Sequence, residues 1–376
     1  MKKIGIIGQN GFIGKHLFNT LGLYPDKYSR VPFERAWFED ETRMDAFVSQ
    51  CDVIVHLAGM NRHHEPEVIY DTNINLVKTL IASLERTQSD VHVIFSSSSQ
   101  EERDNLYGRS KKEGRLLLAR WAAGSNGHLT AMIIPNVFGP FGHPYYNSVV
   151  ATFCHQLTHD ETPRIDVDGQ LKLIYVGELV EEILSAIESG SSYYNRVNTL
   201  EIAHTPEIRV SDILNLLTQY KEQYVEKGVI PAMQNTFERN LFNTFRCYMP
   251  IREHFPVKFL QHKDSRGAFV EVIRLGMGGQ VSFSTTVPSI TRGNHFHTRK
   301  IERFAVIKGK ALIQLRQVGT DEVLNFYLDG EEPAYVDMPI WYTHNIKNIG
   351  EEELYTIFWI NECYYPDDPD TWFENV

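Results

Sequence analysis

The feature that most constrains this chain is a short apolar run that ends in a glycine-spaced turn. Residues 2–7 (KKIGII) lead directly into GQNGFIG at 8–14, and an amphipathic stretch follows. Glycines let the backbone turn tightly and approach a pyrophosphate, which then faces the N-terminus of the following helix. The pattern predicts a dinucleotide-binding turn. Its expected cofactor contacts are Gly8, Gly11, Phe12, Ile13 and Gly14.

Two further apolar runs follow, CDVIVHLAG at 51–59 and VHVIFSS at 91–97, with a helical stretch between them at 74–84. Both runs are apolar nearly throughout, which is typical of strands buried on two faces. Strands that alternate with helices favour a parallel, doubly wound sheet. The first half is therefore expected to have a Rossmann-type α/β fold.

Composition excludes several classes of partner. The chain has 376 residues, a net charge of −11 and a pI of about 5.8, so it lacks the basic character that nucleic acids and acidic membranes require. No apolar run approaches the roughly 20 residues that cross a bilayer. The four cysteines lie far apart, which indicates reduced thiols in a cytoplasmic protein.

A tyrosine and a lysine four residues apart carry the first chemical signal. Tyr107 and Lys111 stand at i and i+4 of a predicted helix over 107–121, so they share one helix face. The nearby ammonium is expected to lower the phenol pKa from its usual value of about 10. Such a phenol can exchange a proton with a sugar hydroxyl or carbonyl while hydride moves. A serine from the run at 96–99 would contact the same oxygen.

Together these residues resemble the extended short-chain dehydrogenase/reductases that act on nucleotide sugars. The matching elements are GQNGFIG, HLAG, DTNINL, the serine run, YGRSK, PNVFGP and LIYVGELVEEI. The resemblance implies that Tyr107 is the acid/base and that Lys111 tunes it and contacts the ribose. It also implies a carbonyl contact from Ser98, with Ser97 as second choice. Asn136 would lie between cofactor and substrate.

The same resemblance extends the cofactor site to Ala58, Gly59 and Asn73.

The choice between NAD and NADP depends on the segment after the second strand. An acidic residue there would hold the 2′-hydroxyl of NAD, and an arginine would hold the 2′-phosphate of NADP. That segment, YSRVPFER, carries Glu34 and Arg35. Arg35 favours NADP(H), and the alternative is that both are solvated surface charges.

The pattern changes in the last third of the chain. Short alternating strands separated by turn signals predict an all-β barrel or jelly roll over 257–376. The expected organisation places the dinucleotide-binding domain at 1–245, with a small capping lobe from about 191, and a proline-containing linker at 246–256.

Three imidazoles and one carboxylate in this β-rich region could hold a divalent metal. His295 and His297 are spaced i, i+2, so they project from one face of a strand. The expected ligands are His295, His297, Glu302 and His344.

These positions resemble the cupin signature. HFHTRKIERFAVIKG fits HxHx4Ex6G, and PIWYTHNIKN fits PxGx2Hx3N with Trp341 where glycine is usual. In cupins the two histidines, the glutamate and the later histidine bind the metal. The resemblance implies zinc, while manganese, iron and nickel also suit such ligands.

A second resemblance points to the dTDP-4-dehydrorhamnose 3,5-epimerase branch of cupins, through DSRGAFVE, the run before HFH and DMPIWYTHN. It implies diphosphate contacts from Arg266 and Arg292, and it makes His295 a candidate base. A metal-bound His295 cannot also be a free base, and the second histidine of HFH favours the metal. The proton would then be moved by another group; the candidates are Tyr342, Tyr355 and Tyr364.

The order of the domains resembles bifunctional enzymes of capsular polysaccharide synthesis, through YGRSK, YNSVVATFC, GNHFH, YTHNI and the ending NECYYPDDPDTWF. The resemblance implies C3 epimerisation of a UDP-4-keto-6-deoxy-N-acetylhexosamine and NADPH reduction of its C4 ketone. The product would be a UDP-N-acetyl-6-deoxy-L-talosamine-type sugar. The alternatives are a single-activity reductase or epimerase whose cupin only binds sugar or sets assembly, and a non-enzymatic NADP(H)-binding regulator or scaffold. A homodimer is expected.

Overall fold

Two compact units make up the computed structural model, which describes residues 1–189, 195–265 and 267–376. The first unit consists of Met1–Thr152 and Val167–Val210, and the second of Phe153–Asp166 and Ser211–Val376. Residues 211–256, which the sequence assigns to a capping lobe and a linker, thus pack with the β-rich region. Among the described residues, no helix combines the length and the hydropathy that a bilayer span requires.

The first unit alternates strands and helices along the chain. Its strands are β1 Lys2–Ile7, β2 Tyr28–Val31, β3 Val53–His56, β4 His92–Ser98, β5 His128–Ile134, β6 Asn136–Phe138, β7 Gln170–Tyr175, β8 Val197–Glu201 and β9 Glu207–Arg209. The helices that begin in it are α1 Phe12–Gly22, α2 Glu41–Gln50, α3 Pro66–Arg86, α4 Leu106–Gly124, α5 Val149–Thr158 and α6 Val176–Ser189. Short 3-10 turns lie at Arg35–Glu39 and Ser99–Glu102.

A six-stranded parallel sheet in the order β2-β1-β3-β4-β5-β8 forms the centre of this unit. All residues of β3 and β4 are buried, because helices cover both faces of the sheet. Side chains of α2, α3 and α4 pack on one face, and those of α1 and α6 pack on the other. The Rossmann-type fold expected from the sequence is confirmed, and the carboxyl ends of its strands define the edge where the glycine turn and the serine run lie.

The second unit is predominantly antiparallel. Its helices are α7 Val210–Tyr220, α8 Thr236–Arg246 and α9 Ile251–His254, with a π-turn at Lys221–Val225. Its strands are β10 Val229–Ile230, β11 Val257–Lys258, β12 Gln261–Asp264, β13 Gly267–Val270, β14 Arg274–Leu275, β15 Gln280–Thr286, β16 Thr291–Phe296, β17 Glu302–Lys308, β18 Lys310–Gln317, β19 Val323–Asp329, β20 Ala334–Met338, β21 Tyr342–Asn348, β22 Leu354–Ile360 and β23 Trp372–Phe373.

Two five-stranded antiparallel sheets dominate this unit, in the orders β11-β20-β17-β22-β15 and β19-β18-β21-β16-β23. One hydrophobic cluster joins them, since it contains Ala305 and Val336 of the first sheet and Ile313, Phe326 and Ile346 of the second. The paired sheets match the cupin-like β fold that the alternating pattern predicts.

A buried ionic network braces the second unit. Arg303 donates two hydrogen bonds to Asp337, at 2.7 and 2.9 Å, and Tyr224 donates a third to the same carboxylate at 2.5 Å. Burial alone would raise the pKa of Asp337, but Arg303 beside it holds that pKa below its usual range. Because the carboxylate is fully buried, its loss would leave the Arg303 charge without compensation.

We therefore predict that Asp337→Ala destabilises the protein by about 3–5 kcal/mol. The matched control is Glu322→Ala, which removes an ion pair with Arg252 whose partners are 74% and 62% exposed, and which should change stability by less than about 1 kcal/mol. Urea denaturation followed by circular dichroism measures both. Equal effects of the two substitutions would show that the buried network does not stabilise the fold.

Candidate active sites

The glycine turn is packed so tightly against neighbouring backbone that side chains do not fit at two of its positions. A Cβ atom added at Gly14 would lie 2.1 Å from the carbonyl oxygen of Gly8, and one at Gly8, whose φ is +95°, would lie 2.8 Å from the amide nitrogen of Ala58. Gly11 precedes α1 without a side-chain cap, and the first turn has no acidic residue. The amide groups at this helix start are thus suited to an anion.

A cleft of about 730 Å³ opens beside the turn in the first unit. It brings together most of the residues expected there. These are Gly8, Gly11, Phe12, Ile13, Gly14, Gly59, Ser97, Ser98, Tyr107, Lys111 and Asn136.

The start of α4 positions the reactive tyrosine. Asn105 caps the helix by accepting a hydrogen bond from the amide of Gly108 at 2.7 Å. Gly108 packs so closely on the backbone that an added Cβ would lie 2.0 Å from the carbonyl oxygen of Gln100. The first turn of α4 is therefore fixed against the segment that follows β4, and Tyr107 extends from this turn into the cleft.

The pKa of the Tyr107 phenol is shifted in the direction opposite to the one expected. Burial raises the pKa of Tyr107, a hydrogen bond with Ser98 opposes that rise, and the predicted lowering by Lys111 is wrong. Lys111 itself is buried, and its Nζ contacts Ser96 Oγ at 3.4 Å and the Phe95 ring at 4.8 Å. Burial lowers the pKa of Lys111 to about 8. Desolvation acts on both groups more strongly than their mutual charge does.

The two candidate serines have different hydrogen-bond partners. Ser98 contacts Tyr107, whereas the Ser97 hydroxyl donates to Glu101. Glu101 is itself held by Arg115 through hydrogen bonds of 2.6 and 2.9 Å. The geometry therefore supports Ser98 as the partner of the phenol.

Three expected cofactor contacts do not line the cleft. Asn73 instead fixes the loop after β3, by hydrogen bonds to the backbone nitrogen and oxygen of Met60 at 2.7 and 2.9 Å. Ala58 donates its amide to Ile7 at 3.0 Å and packs behind Gly8. Arg35 is exposed at the start of a 3-10 turn.

Other residues that line the cleft escaped the sequence analysis. They are chiefly polar side chains of the segment between β6 and α5, with one from the turn after β4. The set includes Gln100, His143, Tyr146, Asn147 and Ser148. The run YYNSVVATFC carries several of them, but the spacing of that run has no chemical signature that marks a site.

The second unit brings together all four expected metal ligands. One ligand atom each of His295, His297, Glu302 and His344 lies within 4.8 Å of the others. Strand pairing explains the cluster, since His295 of β16 stands opposite His344 of β21. Glu302 Oε2 lies 3.3 Å from His297 Nε2 and 3.2 Å from His344 Nε2.

The electrostatics of this cluster favour a cation. Burial, followed by the neighbouring histidines, lowers the pKa of His295 to about 3, so the imidazole is neutral and able to coordinate. Burial would raise the pKa of Glu302, but the adjacent imidazoles of His297 and His344 hold it below its usual range. Within the described residues His344 Nε2 is buried and makes no hydrogen bond of good geometry. This donor set fits a divalent transition metal.

Trp341 occupies the turn position where cupins usually have glycine. Its φ is +60°, in the left-handed region that favours glycine. The turn is nevertheless held, because the Trp341 amide donates to the carbonyl of His297 at 2.8 Å and its ring stacks on Phe296 at 5.4 Å. The tryptophan therefore adopts a backbone conformation that glycine favours.

The remaining candidates are less well defined. Arg266 lies outside the described residues. Arg292 is exposed on β16 and donates to the carbonyl of Thr285 at 3.4 Å. Tyr355 contacts the exposed Glu353, and Tyr364 is 61% exposed.

Known proteins resemble the chain over its whole length. It is 30% identical over 372 residues, 98% of both chains, to a UDP-2-acetamido-2,6-beta-L-arabino-hexul-4-ose reductase of Pseudomonas aeruginosa. The solved structure of the capsular polysaccharide assembling protein CapF from Staphylococcus aureus covers 100% of both chains, with 34% identity and a TM-score of 0.62. The expected resemblance to an enzyme of capsular polysaccharide synthesis is thereby confirmed.

Two family models match separate parts of the chain. The polysaccharide biosynthesis C-terminal domain matches residues 262–372. This region is also 28% identical over 123 residues, 30% of this chain and 82% of the relative, to the spore coat polysaccharide biosynthesis protein SpsL of Bacillus subtilis. The N-terminal model matches residues 4–198, more than half of the sequence. The chain therefore belongs to the NAD dependent epimerase/dehydratase family.

Proposed function

We propose that this chain is a bifunctional nucleotide-sugar enzyme of surface polysaccharide biosynthesis. Its β-rich unit epimerises C3 of a UDP-4-keto-6-deoxy-N-acetylhexosamine, and its N-terminal unit reduces the C4 ketone with NADPH. The observation that carries the proposal is the presence of one reactive set in each unit: Tyr107 with Ser98 and Lys111 in a cleft, and the histidine–glutamate cluster. The Pseudomonas aeruginosa reductase, a UDP-sugar enzyme by its name, supports the substrate class.

Reduction of a ketone consumes one hydride and one proton. The nicotinamide, when bound, supplies the hydride to C4. The raised pKa of Tyr107 keeps the phenol protonated at neutral pH, which is the form that donates a proton to the ketone oxygen. Ser98 contacts the phenol and would orient the same oxygen. The phenolate then recovers a proton from solvent.

Several groups would hold the dinucleotide. The open helix start beyond Gly11 suits the pyrophosphate, and Lys111 supplies a cation at the ribose. The side chain of Gln9 donates to the carbonyl of Phe33 at 3.0 Å, which fixes the segment after β2 beside the glycine turn. Arg35, two residues further on, is exposed and could meet a 2′-phosphate, so we propose NADP(H) rather than NAD(H).

Epimerisation at C3 depends on the neighbouring ketone. A proton on that carbon is acidic because the resulting enolate places its charge on oxygen, and its return on the opposite face inverts the centre. His295, His297, Glu302 and His344 would hold a divalent metal, zinc by resemblance. Such an ion, when bound, acts as a Lewis acid that stabilises developing negative charge. One of Tyr342, Tyr355 and Tyr364 would move the proton.

Reduction after epimerisation favours formation of the final product. Epimerisation beside a ketone is reversible, so alone it yields a mixture. Reduction of the C4 ketone removes the acidity at C3 and fixes the new configuration. Coupling the two activities on one polypeptide therefore draws the equilibrium forward.

The homodimer expected from the sequence stays a prediction, and sedimentation equilibrium of the purified protein checks it.

A single-activity reductase is the second candidate, because the Pseudomonas aeruginosa relative is named only as a reductase. Under this alternative the β-rich unit binds sugar without changing C3. The two candidates differ in what a substitution in the β-rich unit does to an already epimerised substrate.

We predict that Tyr107→Phe and His344→Ala separate the two activities. Tyr107→Phe should lower the reduction rate by about 10²–10⁴-fold, since it removes the proton donor, and should leave C3 epimerisation intact. His344→Ala should abolish epimerisation and spare reduction of a C3-epimerised substrate. Product NMR and NADPH oxidation measure the two steps. If His344→Ala left product stereochemistry unchanged, the single-activity reductase would be correct.

The catalytic efficiency of reduction is also predicted to fall at alkaline pH. Lys111 is protonated below its pKa of about 8 and loses its charge above it, so the cofactor contact weakens as pH rises through this value. We expect kcat/KM for NADPH to fall about tenfold per pH unit above this pKa. Lys112→Met, at an exposed position on the same helix, should show the same profile as the wild type. A flat profile up to pH 10 would contradict the role of the Lys111 charge.

A further inference from the structure

We infer that the C-terminal segment 361–370 is a clamp that positions the metal ligand His297, and that Asp370 is its principal positioning residue. The inference rests on the proposed metal site. It gives a role to the ending NECYYPDDPDTWF, in which the proposed chemistry assigns a candidate role to Tyr364 alone.

The carboxylate of Asp370 binds the loop between two of the ligands. Oδ1 accepts hydrogen bonds from the amide and the hydroxyl of Thr298, at 3.0 and 2.7 Å. Oδ2 accepts from the amides of Arg299 and Lys300, at 3.0 and 3.1 Å. Asp370 is only 4% exposed, so these charge-assisted bonds are shielded from water. The loop that leaves His297 is thus tied to a residue about seventy positions away.

The backbone of Asp370 acts on the ligand itself. Its carbonyl oxygen contacts His297 Nδ1, so this ring nitrogen carries the proton and donates it. In the neutral ring that coordinates a metal, the other nitrogen, Nε2, would then carry the lone pair, and it lies 3.3 Å from Glu302 Oε2 within the ligand cluster. Metal-binding histidines commonly have their second nitrogen fixed in this way, which sets both tautomer and ring orientation.

The rest of the segment holds the remainder of the same loop. Asn361 Oδ1 accepts the amide of Ile301 at 2.8 Å, directly before the ligand Glu302. The Arg299 side chain bonds Glu362 at 3.2 Å and Asp368 at 2.7 Å. Both ends of the loop that joins His297 to Glu302 are therefore bound by one distant stretch of chain.

The strand that follows Asp370 holds the first ligand. Strand β23 pairs with β16, with Phe373 opposite His295 and Trp372 opposite Phe296. His295 is thus flanked on one side by β23 and on the other by β21, which carries His344. Residues 361–370 and β23 together thus contact the surroundings of three of the four ligands, His295, His297 and Glu302.

The backbone at Asp370 makes one substitution especially informative. Its φ is +43°, in the left-handed region that aspartate and asparagine tolerate better than most residues. Asp370→Asn therefore retains the backbone and the carbonyl contact to His297, and it removes the charge that binds the loop. The matched control is Asp367→Asn, which removes one charge from an exposed position of the same segment.

The test compares metal binding by the full-length variants with that of the wild type. Competition with a chromophoric chelator gives the zinc affinity, and the absorption spectrum of the cobalt-loaded protein reports ligand geometry. We expect Asp370→Asn to bind zinc about 10–100-fold more weakly and to show altered cobalt bands, with Asp367→Asn unchanged. A folded Asp370→Asn protein with wild-type affinity and spectrum would overturn the clamp, whatever its thermal stability.

If Asp370→Asn does not fold, Thr298→Val serves in its place, because it removes one donor to Asp370 at nearly constant volume. Weaker zinc binding with altered cobalt bands supports the clamp, and unchanged values overturn it. A wild-type protein that binds neither zinc nor cobalt would refute the proposed metal site and the clamp with it. Equal affinities in wild type and variant would refute the clamp alone.

Discussion

Removal of water from charged and reactive groups sets the protonation state on which both candidate sites depend. In the first unit, burial keeps the Tyr107 phenol protonated and lowers the pKa of Lys111 to about 8. In the second, burial keeps His295 neutral, while the adjacent imidazoles of His297 and His344 keep Glu302 ionised. A neutral phenol suits proton donation, and a neutral imidazole such as that of His295, beside a carboxylate, suits metal coordination.

The two folds supply this burial by different means. The parallel sheet is covered on both faces, so groups at the carboxyl ends of β1, β3 and β4 meet in a cleft whose glycine turn suits an anion. The β-rich unit encloses its cluster between paired strands and a loop. The reducing and epimerising sites proposed for this chain would suit a substrate whose ketone activates the carbon next to it.

The fold could be predicted because its signals are local. Buried strands and alternating strands differ in sequence period, and the spacing of Tyr107 and Lys111 or of His295 and His297 places each pair on one face. The direction of the Tyr107 pKa could not be predicted, since it depends on how deeply the phenol is buried. The sequence likewise could not predict that Asn73 stays out of the cleft, because its side-chain amide hydrogen-bonds the backbone of Met60. The contacts of Asp370 join residues 72 positions apart, and no spacing rule reveals them.

The proposed division of labour is tested most directly by hydrogen exchange at the sugar. The purified protein is incubated with the UDP-4-keto-6-deoxy-N-acetylhexosamine in heavy water without any nicotinamide cofactor, and the sugar is examined by proton NMR. Loss of the C3 proton signal through deuterium incorporation, with the ketone still present, is the expected result. Retention of that proton by a metal-loaded protein that still reduces the C4 ketone of a C3-epimerised sugar when NADPH is added would contradict the proposal.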